Sequence, residues 1–273
     1  MRGEATKQEM VPAEYEVYAL YYGRRDSTKA KEFLRWDIYN EPDAAQDMAY
    51  YFWLIQSKDR TILVDCGFDR TRGAANGRFQ KANPIDLLRR MGVAPTEVSY
   101  IIVTHFHYDH IGNLARFPNA TVAVSKAEYD FWAGPFQHLQ ILQSMVLPAE
   151  LELIREIDRQ GRLHLVENSD ELFPGIRVTS LPGHTPGLLI TEVPTRSGRI
   201  ILASDAIHYY EEMELDRPFR LYESLADTLR SFEILRELAH QPHTRVIAGH
   251  DPRDITNYTM VQENCFDLAR PIW

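Results

Sequence analysis

The chain has 273 residues, 44% hydrophobic and 25% charged, with a net charge of −9. This is an ordinary globular composition, long enough for a substantial core in one large domain or two small ones. The acidic balance and the lack of a Lys/Arg-rich run argue against a nucleic-acid substrate, and no apolar stretch approaches the ~20 residues of a membrane span.

The first nine residues hold no hydrophobic signal core. Cys66 and Cys265 sit in unlike contexts, so reduced thiols in a cytoplasmic protein are expected rather than a disulfide. Glu14–Tyr22 alternates Tyr15 and Val17 on one side and predicts a strand. The charged stretch 23–47, anchored by Trp36, Ile38 and Tyr39, reads as a lid-like loop. Ala49–Gln56 and Thr61–Asp65 flank Ser57-Lys58-Asp59-Arg60 as a hairpin.

Pro84–Met91 has helical apolar spacing and stops at Gly92. Strands are predicted at Val98–Val103 and Thr121–Ser125, followed by a helix through Glu128–Trp132. Gln137–Gln160 reads as mostly helical, with Pro148 opening its second segment, and 131–160 as a whole as an apolar helical insertion. Ile176–Leu181, Leu188–Val193 and Arg199–Ala203 predict three strands, the last two joined across Pro194–Gly198. Leu221–His240 reads as an amphipathic helix, and Thr244–Ala248 as a final strand. Two strand-rich halves, each closed by helices, predict a four-layer αββα sandwich over 1–273, counted as one domain.

The chemistry concentrates where the Val98–Val103 strand empties into His105-Phe-His107-Tyr-Asp109-His110. In extended chain alternate side chains project the same way, so His105 and His107 can grip one ion. Asp109 and His110, past the turn, can reach a second. Imidazole and carboxylate suit zinc, manganese or iron without any thiolate. Further ligands should stand at other strand ends. His184 follows a strand in Leu181-Pro-Gly-His-Thr-Pro-Gly187, Asp205 follows one in Ala-Ser-Asp-Ala, and His250 follows one in Ala-Gly-His-Asp. A lone His or Asp there is more often a turn or cap residue; the set in this order is specific.

This set resembles the metallo-β-lactamase superfamily, and more narrowly its N-acyl homoserine lactonase-like branch: His-x-His-x-Asp-His, then His, Asp and His. Ile62-Leu-Val-Asp-Cys-Gly67 is similar to the family's early strand and its Asp-x-Gly, which makes Asp65 a brace for the metal loops. The resemblance implies two divalent ions, zinc first, with manganese, iron or cobalt as alternatives. It places His105, His107 and His184 on one ion, Asp109, His110 and His250 on the other, and Asp205 between them. It implies a quorum-quenching type of hydrolase in which metal-bound hydroxide opens a lactone ring and Asp109 shuttles the proton.

The branch carries a tyrosine three residues after its bridging aspartate, where this chain has His208, followed by Tyr209 and Tyr210. Either His208 or Tyr209 could serve the substrate carbonyl. Candidate pocket walls are Trp36, Tyr39, Phe106, Phe131, Trp132 and Phe136, and the insertion could also form a homodimer face. A glyoxalase II-like thioester hydrolase shares the ligands but expects a helical region for which too little chain follows His250. A mononuclear-iron sulfur dioxygenase of this fold would be told apart by metal stoichiometry. A binding protein that kept only the fold would be expected to have lost ligands.

Overall fold

Residues 14–272 are described by the structure, a computed structural model; the first nine residues, read above for a signal core, lie outside that range. The first sheet runs in the order Tyr258–Gln262, Cys265–Pro271, Glu16–Arg25, Met48–Ser57, Arg60–Val64, Tyr100–Ile102, Thr121–Ser125, Leu163–Val166, with the short Phe79–Gln80 also pairing with Glu16–Arg25. Its half from Arg60–Val64 onward is parallel and the rest antiparallel. The second sheet runs Thr244–Ala248, Gly198–Ser204, Leu189–Thr195, Ile176–Ser180, Ser169–Phe173.

Side-chain alternation builds the layers. In Met48–Ser57, Ala49, Tyr51, Trp53 and Ile55 point into a core shared with Val178, Leu189, Ile200 and Leu202 of the second sheet. Tyr50, Phe52 and Leu54 point the other way, into a second core with Ile85, Leu88, Leu151 and Ile154 of the covering helices. A strand covered on both faces needs apolar residues at every position, which is why this one reads as a continuous run. On the far side, Ile201 and Ala203 meet Phe232 and Leu235 of the helix Leu225–Ala239. These are the four αββα layers expected from the sequence.

The predicted helices begin where their caps are. Asn83 accepts from the Ile85 amide with Pro84 in the first turn, Ser125 accepts from the Ala127 amide, and Ser224 accepts from the Asp227 amide. Several elements escaped the sequence. The stretch 23–47 is less open than expected: the first strand continues to Arg25, and a helical turn at Lys29–Glu32 and a 3-10 turn at Trp36–Tyr39 follow. Short half-exposed strands at Leu163–Val166 and Ser169–Phe173, and helices at Arg70–Ala75 and Tyr210–Leu215, carry too little periodicity to read. Leu189–Thr195 runs through Pro194, so its hairpin turns at Arg196-Ser197 rather than across Pro194–Gly198. After His250 the described chain forms a short helix, Arg253–Asn257, and two strands that extend the first sheet. No helix among the described residues is long and apolar enough to cross a membrane.

Candidate metal centre

The chemistry-bearing residues all follow strands that end at one edge of the sandwich. Asp65 follows Arg60–Val64, the 103–107 loop follows Tyr100–Ile102, the His184 loop follows Ile176–Ser180, Asp205 follows Gly198–Ser204, and His250 follows Thr244–Ala248. The chain turns sharply there: Asp65 and Ser204 have φ of 63° and 47°. At Gly249 a Cβ would lie 2.8 Å from the Asp205 Oδ1, so only glycine lets this strand end close on that carboxylate.

Each imidazole nitrogen on the far side of a ring has an oxygen to bind, and this fixes the near side. His110 Nδ1 donates to Asp65 Oδ2 at 2.7 Å, His184 Nδ1 to the Leu221 carbonyl at 3.0 Å, and His250 Nδ1 to the Ala49 carbonyl at 2.8 Å. The Thr104 hydroxyl donates to Asp65 Oδ2 at 2.8 Å, so towards His105 Nδ1, 3.1 Å away, it accepts. In these four rings Nε2 is therefore the nitrogen turned towards the cluster, where it can serve as a ligand. His107 is the exception, with Nδ1 facing His184 Nε2 at 3.0 Å.

Those nitrogens converge in two groups. The ligand atoms of His105, His107 and His184 lie within 4.8 Å of one another, as do those of Asp109, His110 and His250. Asp205 stands between them. Its Oδ1 is 3.1 Å from His250 Nε2 and 3.4 Å from His110 Nε2, while its Oδ2 is 3.4 Å from His184 Nε2. His105 Nε2 and His110 Nε2 are buried without a hydrogen-bond partner, which is how nitrogens poised for a cation present themselves. Imidazoles plus carboxylates with no thiolate fit zinc and its neighbours.

The electrostatics separate the two groups: burial lowers His110, but the Asp205, Asp65 and Asp109 carboxylates outweigh it and hold this ring well above the usual histidine range. Burial and the adjacent imidazoles hold His105 and His107 well below the usual histidine range, and burial pushes His184 down to about 3, so all three stay neutral and basic towards metal. Burial would raise Asp205, but His250, His208 and His110 around it hold its carboxyl well below the usual range.

Two carboxylates that the sequence reading passed over brace the centre. Glu128, fully buried in the helix Lys126–Trp132, accepts from the Phe106 amide at 3.0 Å, the Trp132 indole at 2.5 Å and the Gly187 amide at 3.1 Å. It thus ties the His105–His107 loop to the His184 loop. Gly187 permits this approach, since a Cβ there would meet the Glu128 amide nitrogen at 2.3 Å. Glu212 accepts from the His208 and Tyr209 amides at 2.5 and 3.0 Å and from the Phe219 amide at 3.0 Å, with His208 Nδ1 3.2 Å away.

His208 points inward: its Nε2 is 3.1 Å from Asp205 Oδ2 and its ring stacks on Phe219 at 3.7 Å. Tyr209 points away, fully buried against Phe33 and Phe219, so it does not reach the cavity. The chain is extended at Tyr209, and neighbouring side chains in extended chain take opposite directions.

A cavity of about 600 Å³ opens over the cluster, lined among others by Tyr50, Arg78, Tyr108, Met145, Phe219 and Leu221. None of the six aromatic residues expected to wall the pocket lines it. Phe106 is buried in the helix-side core, Trp36 packs on Phe33 within the 23–47 segment, and Tyr39 packs on Trp36. Trp132 backs His107 at 5.6 Å from within the fold, Phe131 packs on Trp132, and Phe136 is exposed. Hydrophobicity selected these residues, but packing decided which surface each one faces.

The family profile for the metallo-beta-lactamase superfamily matches residues 47–250, and the chain belongs to that superfamily. An N-acyl homoserine lactonase from a Bacillus species is 29% identical over 229 residues, covering 77% of this chain and 84% of that protein. The N-acyl homoserine lactonase AiiA of Bacillus thuringiensis subsp. kurstaki is 26% identical over 226 residues with the same coverage. Among solved structures, a quorum-quenching N-acyl homoserine lactone lactonase superposes with a TM-score of 0.74 at 22% identity, covering 92% of this chain and 98% of that one. The dizinc quorum-quenching lactonase AidC, solved with a product bound, superposes at 0.71 and 23% identity, covering 89% and 90%. At such identities these superpositions establish the fold.

Proposed function

We propose that this member of the metallo-β-lactamase superfamily is a hydrolase that opens a lactone ring at a centre of two divalent ions, zinc foremost. The observation that carries the reading is Asp205, which offers one carboxylate oxygen to each of two histidine groups. The lactonase relatives, which match over most of their own length, support the substrate class. His105, His107 and His184 would hold one ion, Asp109, His110 and His250 the other, and Asp205 would bridge them. Two divalent ions held there would supply a nucleophile at neutral pH and a Lewis acid for the carbonyl oxygen.

The chain's own groups do the rest. Asp109 lines the cavity beside His110, with its Oδ1 3.9 Å from His110 Nε2, and is placed to take the proton of the attacking water and return it to the ring oxygen. His208, held through its backbone amide by Glu212, would offer Nε2–H to the carbonyl oxygen in place of the phenol found in the lactonase branch. Asp65 and Glu128 hold the ligand loops in register, and the mixed cavity wall seats the ring.

The test is a panel of γ- and δ-lactones and acyl homoserine lactones run beside a glutathione thioester, with metal content measured on the same preparation. Lactone opening with about two ions per chain is the expected result. Thioester turnover without lactone turnover would replace this reading with the glyoxalase II-like one, and a single iron per chain would point to oxygen chemistry instead.

A further inference from the structure

The cavity over the cluster is lined by four cationic side chains, Arg25, Lys31, Arg78 and Arg220, in a chain whose net charge is −9. They are not equivalent. Arg25 is committed to the buried Glu32, with its Nη2 2.5 Å from both carboxylate oxygens. Arg78 and Arg220 spend donors only on neutral oxygens. Arg78 donates from Nε to the Tyr50 hydroxyl at 2.9 Å and from Nη1 to the Asn76 carbonyl, while Arg220 Nη1 donates to the Lys31 carbonyl at 3.2 Å. Neither guanidinium forms an ion pair among the described residues.

Arg78 is also half-buried and held in place. Its guanidinium lies over the Tyr108 ring at 5.9 Å, and the Tyr50 that receives its Nε packs edge-on against His250 at 4.9 Å. One aromatic residue therefore separates it from the metal candidates. Asp109, on the same wall, acts on Arg78 through space without pairing with it, and a guanidinium that is partly desolvated, pre-oriented and outside any ion pair is a binding element for a planar anion. A neutral lactone with a plain acyl chain has no use for it.

We infer that the lactone taken by this site carries a carboxylate, held by Arg78 and Arg220 while the ring carbonyl lies over Asp205. The inference rests on the lactone-hydrolase reading above. Water then adds to the ring carbonyl carbon, the ring C–O bond breaks, and the proton passes to the released alkoxide. The product is a hydroxy-dicarboxylate, and a redox-neutral ring closure on a dicarboxylate, with one carboxylate adding across a C=C bond, is the class of reaction that would supply the substrate.

The experiment compares 5-oxotetrahydrofuran-2-carboxylate with its neutral carboxamide on the metal-loaded protein. The carboxylate should have a kcat/KM about tenfold higher or more, expressed mainly in KM, which is the scale of one charge-assisted hydrogen bond. Arg78→Gln should bring that ratio towards one, Arg78→Lys should recover part of it, and added salt should shrink it. Arg220→Gln gives an independent reading should Arg78→Gln not fold. Opening of both compounds with equal efficiency, or a preference that survives loss of both guanidinium groups, overturns the inference and leaves the lactonase reading standing. Opening of neither lactone, with the thioester hydrolysed instead, removes that reading and the inference with it.

Discussion

His208 Nε2 lies 3.1 Å from Asp205 Oδ2, the same carboxylate oxygen that faces His184. With Glu212 beside Nδ1, the ring is aimed from behind into the cavity. His208→Ala should lower kcat/KM for lactone by about 10²-fold, the usual scale for removing one donor to a developing oxyanion, and leave metal content unchanged. Elemental analysis beside steady-state kinetics separates the alternatives: loss of an ion would make His208 a ligand rather than a donor.

Asp109 combines the only partly exposed carboxylate of its group with a place on the cavity wall. Asp109→Asn keeps the size of the side chain and removes the base. Turnover should fall by about 10²–10⁴-fold while at least part of the metal is retained. Near-wild-type turnover would remove the shuttle role.

Glu128 joins two ligand loops through backbone amides, so its loss should be felt at the metal without any ligand being touched. Glu128→Ala leaves two buried amides and an indole N–H unpaired, at about 1–3 kcal/mol for each unsatisfied group. Glu128→Gln can still accept through one oxygen and should be milder. Chelator competition should show metal affinity weakened by about 10- to 100-fold in Glu128→Ala, and unchanged affinity would reduce Glu128 to a packing residue.

The metal-free protein should have a stability maximum near neutrality. Burial holds His184 at about 3, below its ordinary 6.5, so the unfolded chain takes up a proton that the folded chain refuses, and stability falls as the pH drops below about 6.5. His208 behaves in the opposite sense. Burial lowers it, but Asp205 and Glu212 outweigh burial and raise it to about 10, so its contribution is full below about 6.5 and is lost as the pH rises towards 10. Each such group contributes at most about 1.4 kcal/mol per pH unit. Thermal melts of chelator-treated protein between pH 5 and 9 should peak between those limbs, and a melting temperature climbing steadily to pH 9 would contradict the His208 assignment.

The candidate ligands were legible because of where they stand. His105, His184, Asp205 and His250 each follow an apolar strand directly, and strand ends of a sandwich share an edge. Asp65 was legible through the resemblance of Ile62–Gly67 to the superfamily's early strand and its Asp-x-Gly. Glu128 was not: in sequence it is one of two acidic residues in a short helix, indistinguishable from a solvated one, and only the closure of the Phe106 and Gly187 loops onto it makes it a buried brace. The six aromatic residues expected at the pocket show the reverse failure, since apolar character predicts burial but not which cavity or core receives the ring.

By itself, then, the sequence determined the layers and pointed to the candidate ligands, because strand periodicity and strand-end placement are local properties of the chain. Which oxygen of Asp205 faces which histidines, which ring nitrogen faces the cluster, that His208 enters the cavity while Tyr209 leaves it, and that Arg78 forms no ion pair among the described residues were decided only by tertiary structure. Each of these depends on groups far apart in the chain meeting within hydrogen-bond distance, and no local pattern encodes that.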